Sequence, residues 1–280
     1  MQFQTQIHGL TPSLFPEKPE GFDNPSKYCS DEHWLGTLYG PNHEKLSWAI
    51  RNKYYPKIGQ QHIARTPLYA IRYAIDTYTN TGDTVLDPFM GSGTTGVESI
   101  IKDRKTIGIE LEFPHITRET FLNFDPTGLN WSLYEGDAEE QLNKVENNSC
   151  QLLNLSNPYF GDSDTSPKIG GGEVKYQHEK STKKMTNSEY WRKMKAIQYK
   201  ACDKLKVGGH AIFVIKDLMK NKQIDPLHEQ LADLMPDTME FIGTLALPHY
   251  PTTLFMGSYK KMYGIRPPME QVCPIFRKKS

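Results

Sequence analysis

A chain of 280 residues is long enough for one full-cored domain, or for one domain with an accessory lobe. Lys and Arg number 33 against 33 Asp and Glu, which excludes a globally basic nucleic-acid binder and leaves such contacts to local patches. Met1-Gln2-Phe3-Gln4-Thr5-Gln6 lacks a basic-then-apolar pattern, and no apolar run approaches a membrane span, so neither a signal peptide nor a membrane helix is expected.

The cysteines, Cys29, Cys150, Cys202 and Cys273, are scattered and form no C-x-x-C pair. That fits the reduced thiols of a cytoplasmic protein better than disulfides or zinc. No internal repeat is visible. The first 45 residues are rich in Pro, Asn, Gly and aromatics. They predict an irregular arm, over residues 1–60, packed on a domain spanning 61–280. A short helix could form at His43-Glu44-Lys45-Leu46-Ser47-Trp48-Ala49-Ile50. A second helix is predicted from Leu68 to Ile75, with Pro67 suited to its first turn.

From residue 84 the pattern alternates strand and helix, as in a parallel α/β sheet. Seven apolar runs read as strands: 84–87, 106–110, 131–135, 151–156, 210–216, 241–247 and 272–276. Helical stretches fall between them at 93–102, 115–123, 138–145, 190–205 and 226–234.

The first of these strands ends in Asp87-Pro88-Phe89-Met90-Gly91-Ser92-Gly93-Thr94-Thr95-Gly96. Glycines allow a sharp bend and close approach of a ligand. The helix that follows offers unpaired N–H groups and a positive dipole end. Read loosely this is G-x-G-x-x-G, with Glu110 about 20 residues on, where a ribose-binding acid belongs. Nicotinamide dinucleotide and S-adenosylmethionine both satisfy that much. The carboxylate of Asp87 favours the second, because it attracts a sulfonium and an amino group and repels a pyrophosphate. No Lys follows the last glycine, so this is not a Walker loop.

Asp87 to Thr95, spelled Asp-Pro-Phe-x-Gly-Ser-Gly-Thr-Thr, resembles the cofactor motif of the DNA amino-methyltransferases, the adenine-N6 and cytosine-N4 methylases. The resemblance implies a Rossmann-like class I methyltransferase fold. Its sheet would have seven mostly parallel strands with helices on both faces, the last strand antiparallel. It also implies S-adenosylmethionine as cofactor, held by Asp87, Pro88, Phe89, Gly91, Ser92, Gly93, Thr94, Thr95, Glu110 and Leu111. Thr66 and Pro67 would belong to the cofactor-binding helix that the family often places before its first strand, although a plain covering helix reads equally well. Asp137 and Ala138, past the third strand, sit where the family reads the cofactor's adenine, yet Asp137 is also a good N-cap for the helix it precedes.

The fourth strand runs into Ser156-Asn157-Pro158-Tyr159-Phe160. The family's catalytic turn is Asp, Asn or Ser, then Pro-Pro, then an aromatic. Two alignments are open. Ser156-Asn157-Pro158-Tyr159 has Asn for the first proline and points to cytosine-N4. Asn157-Pro158-Tyr159-Phe160 has Tyr for the second proline and points to adenine-N6, which is slightly preferred. The chemistry asks for two acceptors that localise the lone pair of an exocyclic amine. A side-chain oxygen of Ser156 or Asn157 and a backbone carbonyl of Asn157 or Pro158 would serve. Tyr159, with Phe160, would stack on a flipped base. Cytosine-C5 methylation, which needs a nucleophilic thiolate, is disfavoured, since only the reversed dipeptide Cys273-Pro274 occurs.

Two loops are expected to read the target, near 161–190 and 248–270. Residues 161–172 are polar and glycine-rich and predict a mobile loop over the site. Lys175, Lys180, Lys183 and Lys184 follow, and Arg192, Lys193, Lys195, Lys200, Lys204 and Lys206 continue along the next helix. Lys175, Lys183 and Lys184 are the DNA candidates in the first loop, and Lys260, Lys261 and Arg266 in the second. For the lysines of the helix a solvated face is the plainer reading. His210, His228 and His249 show no ligand spacing, and core or surface roles suit them better than metal. The expected partner is double-stranded DNA, with a restriction endonuclease as a possible companion. RNA guanine-N2 methylation, which uses a similar turn, and a non-catalytic DNA-binding protein that kept the fold are the competing readings.

Overall fold

The computed structural model describes residues 13–15, 26–39, 55, 66–160, 178–220, 223–248 and 270–280. The described elements are, in order, β1 (Ser13–Phe15), β2 (Trp34–Tyr39), α1 (Leu68–Tyr78), β3 (Thr84–Asp87), α2 (Thr94–Ile101), β4 (Lys105–Glu110) and α3 (Pro114–Phe124). Then come β5 (Trp131–Glu135), α4 (Ala138–Gln141), β6 (Cys150–Leu155), α5 (Asn187–Lys204) and β7 (Leu205–Phe213). The chain closes with the small hairpin β8 (Leu218–Lys220) and β9 (Gln223–Asp225), α6 (Leu227–Ala232), β10 (Met239–Pro248) and β11 (Glu270–Lys278).

The main sheet has the order β1-β2-β10-β11-β7-β6-β3-β4-β5. Pairings β5–β4–β3–β6–β7 are parallel, and β11 runs antiparallel to both β7 and β10. The α/β class with a mostly parallel sheet is therefore as expected, and all seven expected strands lie in it. The strand count is corrected, since the described sheet has nine. β2 pairs parallel to β10, and β1 pairs antiparallel to β2. The expected irregular arm thus contributes two strands. Its Pro and Gly content masked the short run Trp34-Leu35-Gly36-Thr37-Leu38-Tyr39, whose register on β10 a sequence pattern does not reveal. The helix at 43–50 lies outside the described residues.

Helices cover both faces, as the period of two along each strand requires. Val85 and Leu152 face one side, where Ile71, Ala74 and Ile75 of α1 cover them. Leu86 and Leu153 face the other, under Tyr190, Met194, Ile197 and Ala201 of α5. Each such side chain, fully buried, contributes roughly 1.5–3 kcal/mol, which is why central parallel strands read as continuous apolar runs. Helix α5 starts three residues earlier than its apolar pattern suggested. Thr186 and Glu189 form a reciprocal capping box there, with Thr186 accepting from Glu189 N–H and Glu189 accepting from Thr186 N–H at 2.7 Å. Among the described residues no helix is long and apolar enough to cross a membrane.

This topology places the site. After β3 the chain builds β4 and β5 on one side, then returns to build β6 on the other. The loops leaving β3 and β6 diverge, and a crevice opens at the carboxyl ends of those two strands. The glycine turn follows β3 and the Ser-Asn-Pro-Tyr turn follows β6.

Candidate active site

The glycine turn is held from the β4 side, by Glu110 and by Thr117 of α3. Gly91 and Gly93 take φ of 56° and 93°, a region that favours glycine. The Gly91 N–H donates to Glu110 Oε2 at 2.7 Å, and the Gly91 carbonyl accepts from Thr117 Oγ1 at 2.5 Å. Glu110 Oε1 accepts from the N–H groups of Glu112 and Phe113 at 2.8 and 3.1 Å. One carboxylate thus clasps the glycine turn to the loop after β4. It retains room for one more donor, since a carboxylate has about four acceptor positions. Leu111 beside it is half-buried.

Asp87 is buried at the end of β3. Its Oδ1 accepts from Phe89 N–H at 2.9 Å. Its Oδ2 accepts from Thr95 Oγ1 at 2.6 Å and from Asn154 Nδ2 at 2.8 Å. Burial pushes this carboxyl up to about 6 from 3.8, against the lowering effect of Thr95, Asn154 and Phe89, and the negative charge of Glu110 adds to the rise. Two carboxylates that pair with no cation among the described residues make the turn electronegative. Pro88, Ser92, Gly93, Thr94 and Thr95 are buried around it, and Phe89 is half-buried. Asn154 was not singled out from the sequence. A lone amide inside the run Leu152-Leu153-Asn154-Leu155 was the available signal, because a polar group in a central strand must find a partner.

The lead-in to α1 meets the second turn directly, for Thr66 Oγ1 donates to Ser156 Oγ at 3.2 Å. Pro67, half-buried, stands at the N-cap of α1. The ion pair of Arg72 with Glu98 fixes α1 on α2, with Nε to Oε2 at 2.7 Å and both side chains buried. The cofactor-turn helix and α1 with its lead-in are therefore tied together.

In the turn after β6, Ser156 Oγ donates to the Val214 carbonyl at 3.2 Å. Asn157 is buried with its Nδ2 on Met194 Sδ at 3.3 Å, while its Oδ1 is buried with no hydrogen-bond partner among the described residues. The Pro158 carbonyl accepts from Tyr190 Oη at 2.9 Å, and the Tyr159 carbonyl accepts from Thr182 Oγ1 at 3.0 Å. Burial pushes the Tyr159 phenol up to about 12; the Lys216 N–H opposes this and the charge of Asp217 adds to it. Tyr159 is therefore a neutral ring at physiological pH. Phe160 is half-buried against Tyr190, with ring centroids 5.5 Å apart.

Asp137 caps α4, accepting from Glu139 N–H at 2.9 Å, and its other oxygen pairs with Lys193 of α5. Ala138 is buried behind it. A charged cavity of about 330 Å³ lies beside this pair, lined by Glu139, Glu140, Asn143, Lys180 and Lys200. Two lysines of α5 are engaged locally, Lys200 donating to the Glu139 carbonyl at 2.7 Å and Lys204 to Asn147 Oδ1 at 2.5 Å, and Lys180, in the turn before it, pairs with Glu140. Lys184 is exposed in a single 3-10 turn over Thr182–Lys184, which also contains Lys183. Lys175, Lys260, Lys261, Arg266 and His249 lie outside the described residues, as do 161–177 and 249–269 of the two expected reading loops.

A family model described as DNA methylase, covering the N6 and N4 methyltransferases, matches residues 17–117. Type II methyltransferase M.BglI of Bacillus subtilis is 45% identical over 76 residues, which is 26% of this chain and 22% of that protein. Type II methyltransferase M2.MboI of Moraxella bovis is 33% identical over 97 residues, 32% of this chain and 34% of that protein. DNA adenine methyltransferase YhdJ of Escherichia coli is 37% identical over 79 residues, 27% of each chain. The matched segments thus span between 22% and 34% of these relatives' own lengths.

Proposed function

We propose, from a chain that carries the sequence of the DNA amino-methyltransferase family over residues 17–117, that it methylates an exocyclic amino group of a DNA base. S-adenosylmethionine, when bound, supplies an activated methyl group on a cationic sulfur. The donor set suits that group. Asp87 and Glu110 offer negative charge beside a glycine turn with left-handed φ values, where a pyrophosphate would be repelled.

The observation that carries the reading is the pair of turns at the ends of neighbouring strands β3 and β6, whose ends are tied by Asn154 on Asp87, with the lead-in of α1 bonded to the second turn through Thr66 and Ser156. The orphaned Oδ1 of Asn157 supports it further. That oxygen is an acceptor in want of a donor, and an exocyclic amine supplies one. A second acceptor comes from the remaining lone pair of the Pro158 carbonyl. Together they draw the amine hydrogens into the plane of the acceptors and free the nitrogen lone pair for in-line attack, with orientation supplying most of the acceleration. Tyr159 and Phe160 offer neutral aromatic faces for a base turned out of the helix. The Ser156 hydroxyl spends its hydrogen on Val214 and one lone pair on Thr66. Asn157 is then the better placed acceptor, and adenine-N6 the favoured target over cytosine-N4. Lys183, Lys184 and the lysines and arginine of the second loop remain the proposed phosphate contacts, with a restriction endonuclease as the proposed companion.

The test is methyl transfer from labelled cofactor to duplex DNA and to RNA in parallel. Label in DNA that disappears with Asn157→Ala, while cofactor binding persists, supports the assignment. Label in RNA alone, or full turnover by Asn157→Ala, overturns it.

A further inference from the structure

The segment that leaves β7 touches both halves of the candidate catalytic turn. The Val214 carbonyl accepts from Ser156 Oγ, and the Val214 N–H donates to the Leu155 carbonyl at 3.1 Å. Two residues on, the Lys216 N–H donates to Tyr159 Oη at 3.4 Å. The next residue, Asp217, is buried, and one of its oxygens does two things. It accepts the ring nitrogen Nδ1 of His228 at 2.6 Å and the backbone N–H of the same residue at 3.2 Å.

Both side chains lie at 2% exposure or less. Facing a carboxylate oxygen, Nδ1 carries the ring proton. Nε2 is buried and has no hydrogen-bond partner among the described residues, so Asp217 provides the ring's hydrogen bond. The backbone contact has its own cause. The N-cap of α6 is Pro226, which has no side-chain acceptor, so an orphaned N–H in the first turn is satisfied from the β7 segment instead.

We infer that the Asp217–His228 pair is a positioning unit for the catalytic turn, holding the Lys216 N–H where it anchors the hydroxyl and hence the long axis of the Tyr159 ring. This rests on the methyl-transfer reading above, in which Tyr159 presents the stacking face. The two residues do not touch the reacting atoms. They act through the backbone that joins Asp217 to Lys216, whose N–H contacts the tyrosine, and misplacing a positioned group by about 1 Å can cost on the order of 100-fold in rate.

The test compares His228→Gln with His228→Asn. The Asn amide nitrogen overlays Nδ1 and keeps the donor to Asp217; the Gln amide reaches the Nε2 position and does not. Each is made alone and in a Tyr159→Phe background, and kcat, KM for DNA and cofactor affinity are measured. The expected result is a kcat fall of about tenfold for Gln with cofactor affinity unchanged. Asn should restore the rate to within about threefold, and the Gln effect should shrink below about threefold when the Tyr159 hydroxyl is already gone. An equal fall in both backgrounds, or a parallel loss of cofactor affinity, overturns the proposal. Should His228→Gln fail to fold, Asp217→Ala is the second disrupting variant, read in the same way. Amide hydrogen exchange separates this inference from the functional reading. If no nucleic acid is methylated, that reading fails, yet the Lys216 amide should still exchange about tenfold faster in the disrupted variant while Leu86 in β3 is unchanged. An unchanged Lys216 amide overturns the positioning role whatever the activity.

Discussion

Asp87→Asn probes the electrostatic logic of the cofactor turn. The fold buries this carboxylate before any cation is present to balance it, and burial lifts it to about 6 from 3.8. At about 1.4 kcal/mol per pH unit, that gap is worth about 3 kcal/mol. The sign follows from linkage. The folded value lies above the unfolded one, so the stabilising contribution is complete below about pH 4 and is lost as pH rises through 6. At neutral pH the unliganded protein therefore carries a charge that costs about 3 kcal/mol. A cationic ligand reverses the sign. With a value of about 6, roughly a tenth of the carboxyls are ionised at pH 5 and roughly nine tenths at pH 7, so affinity for S-adenosylmethionine should rise about tenfold across that interval. Asn at position 87 cannot accept all three of the bonds made by Thr95, Asn154 and Phe89, and the lost bond costs about 1–3 kcal/mol. Net stability at pH 7 should therefore change little, while both pH slopes vanish. Titration calorimetry at pH 5 to 8, with denaturant unfolding of the unliganded protein over the same range, reads both. A wild-type affinity that is flat with pH, or an Asn variant that keeps the tenfold rise, refutes the reasoning.

Two further predictions concern the frame around the turn. A Cβ at Gly96 would lie 2.3 Å from Cε1 and Cζ of Phe121, a fully buried ring. Gly96→Ala should lower the unfolding free energy by about 3 kcal/mol. Gly82→Ala, at φ of 85° with nothing within 4 Å, should cost only about 1 kcal/mol of backbone strain; equal losses in denaturant melts would contradict the steric account. Arg72→Met leaves the Glu98 carboxylate buried without its guanidinium and should cost about 3–5 kcal/mol. Arg72→Met with Glu98→Leu should recover most of that, and a double variant no better than the single one would show that the pair does more than balance charge.

The parts of the fold set by local pattern were readable in the sequence. β3 and β5 fall on their expected residues, because apolar runs bounded by turn residues leave few alternatives. β7 begins five residues before its expected start, since Leu205-Lys206-Val207-Gly208-Gly209 lacks an apolar run and is extended through its neighbours. Strand β2 was missed because its pairing partner, β10, lies far along the chain, and β1 because it pairs only on β2. At the site, the glycine turn was legible because its backbone needs particular residues. The partners that fix it were not. Asn154 on Asp87, Thr117 on Gly91 and Lys193 on Asp137 are contacts between elements, and spacing along the chain does not encode them. Asp137 had two readings, and the capping one is seen, with Lys193 as an unforeseen counter-charge. His228 was expected in the core or at the surface, and it is fully buried beside Asp217.

The central claim is that the Asn157 turn holds an exocyclic amine of a DNA base for methyl transfer from S-adenosylmethionine. Mass analysis of nucleosides from DNA and RNA of cells expressing the chain, with the Asn157→Ala variant alongside, tests it most directly. N6-methyladenine should appear in DNA and vanish with the variant. Nucleosides unchanged in DNA, or a methylated guanine confined to RNA, would contradict it.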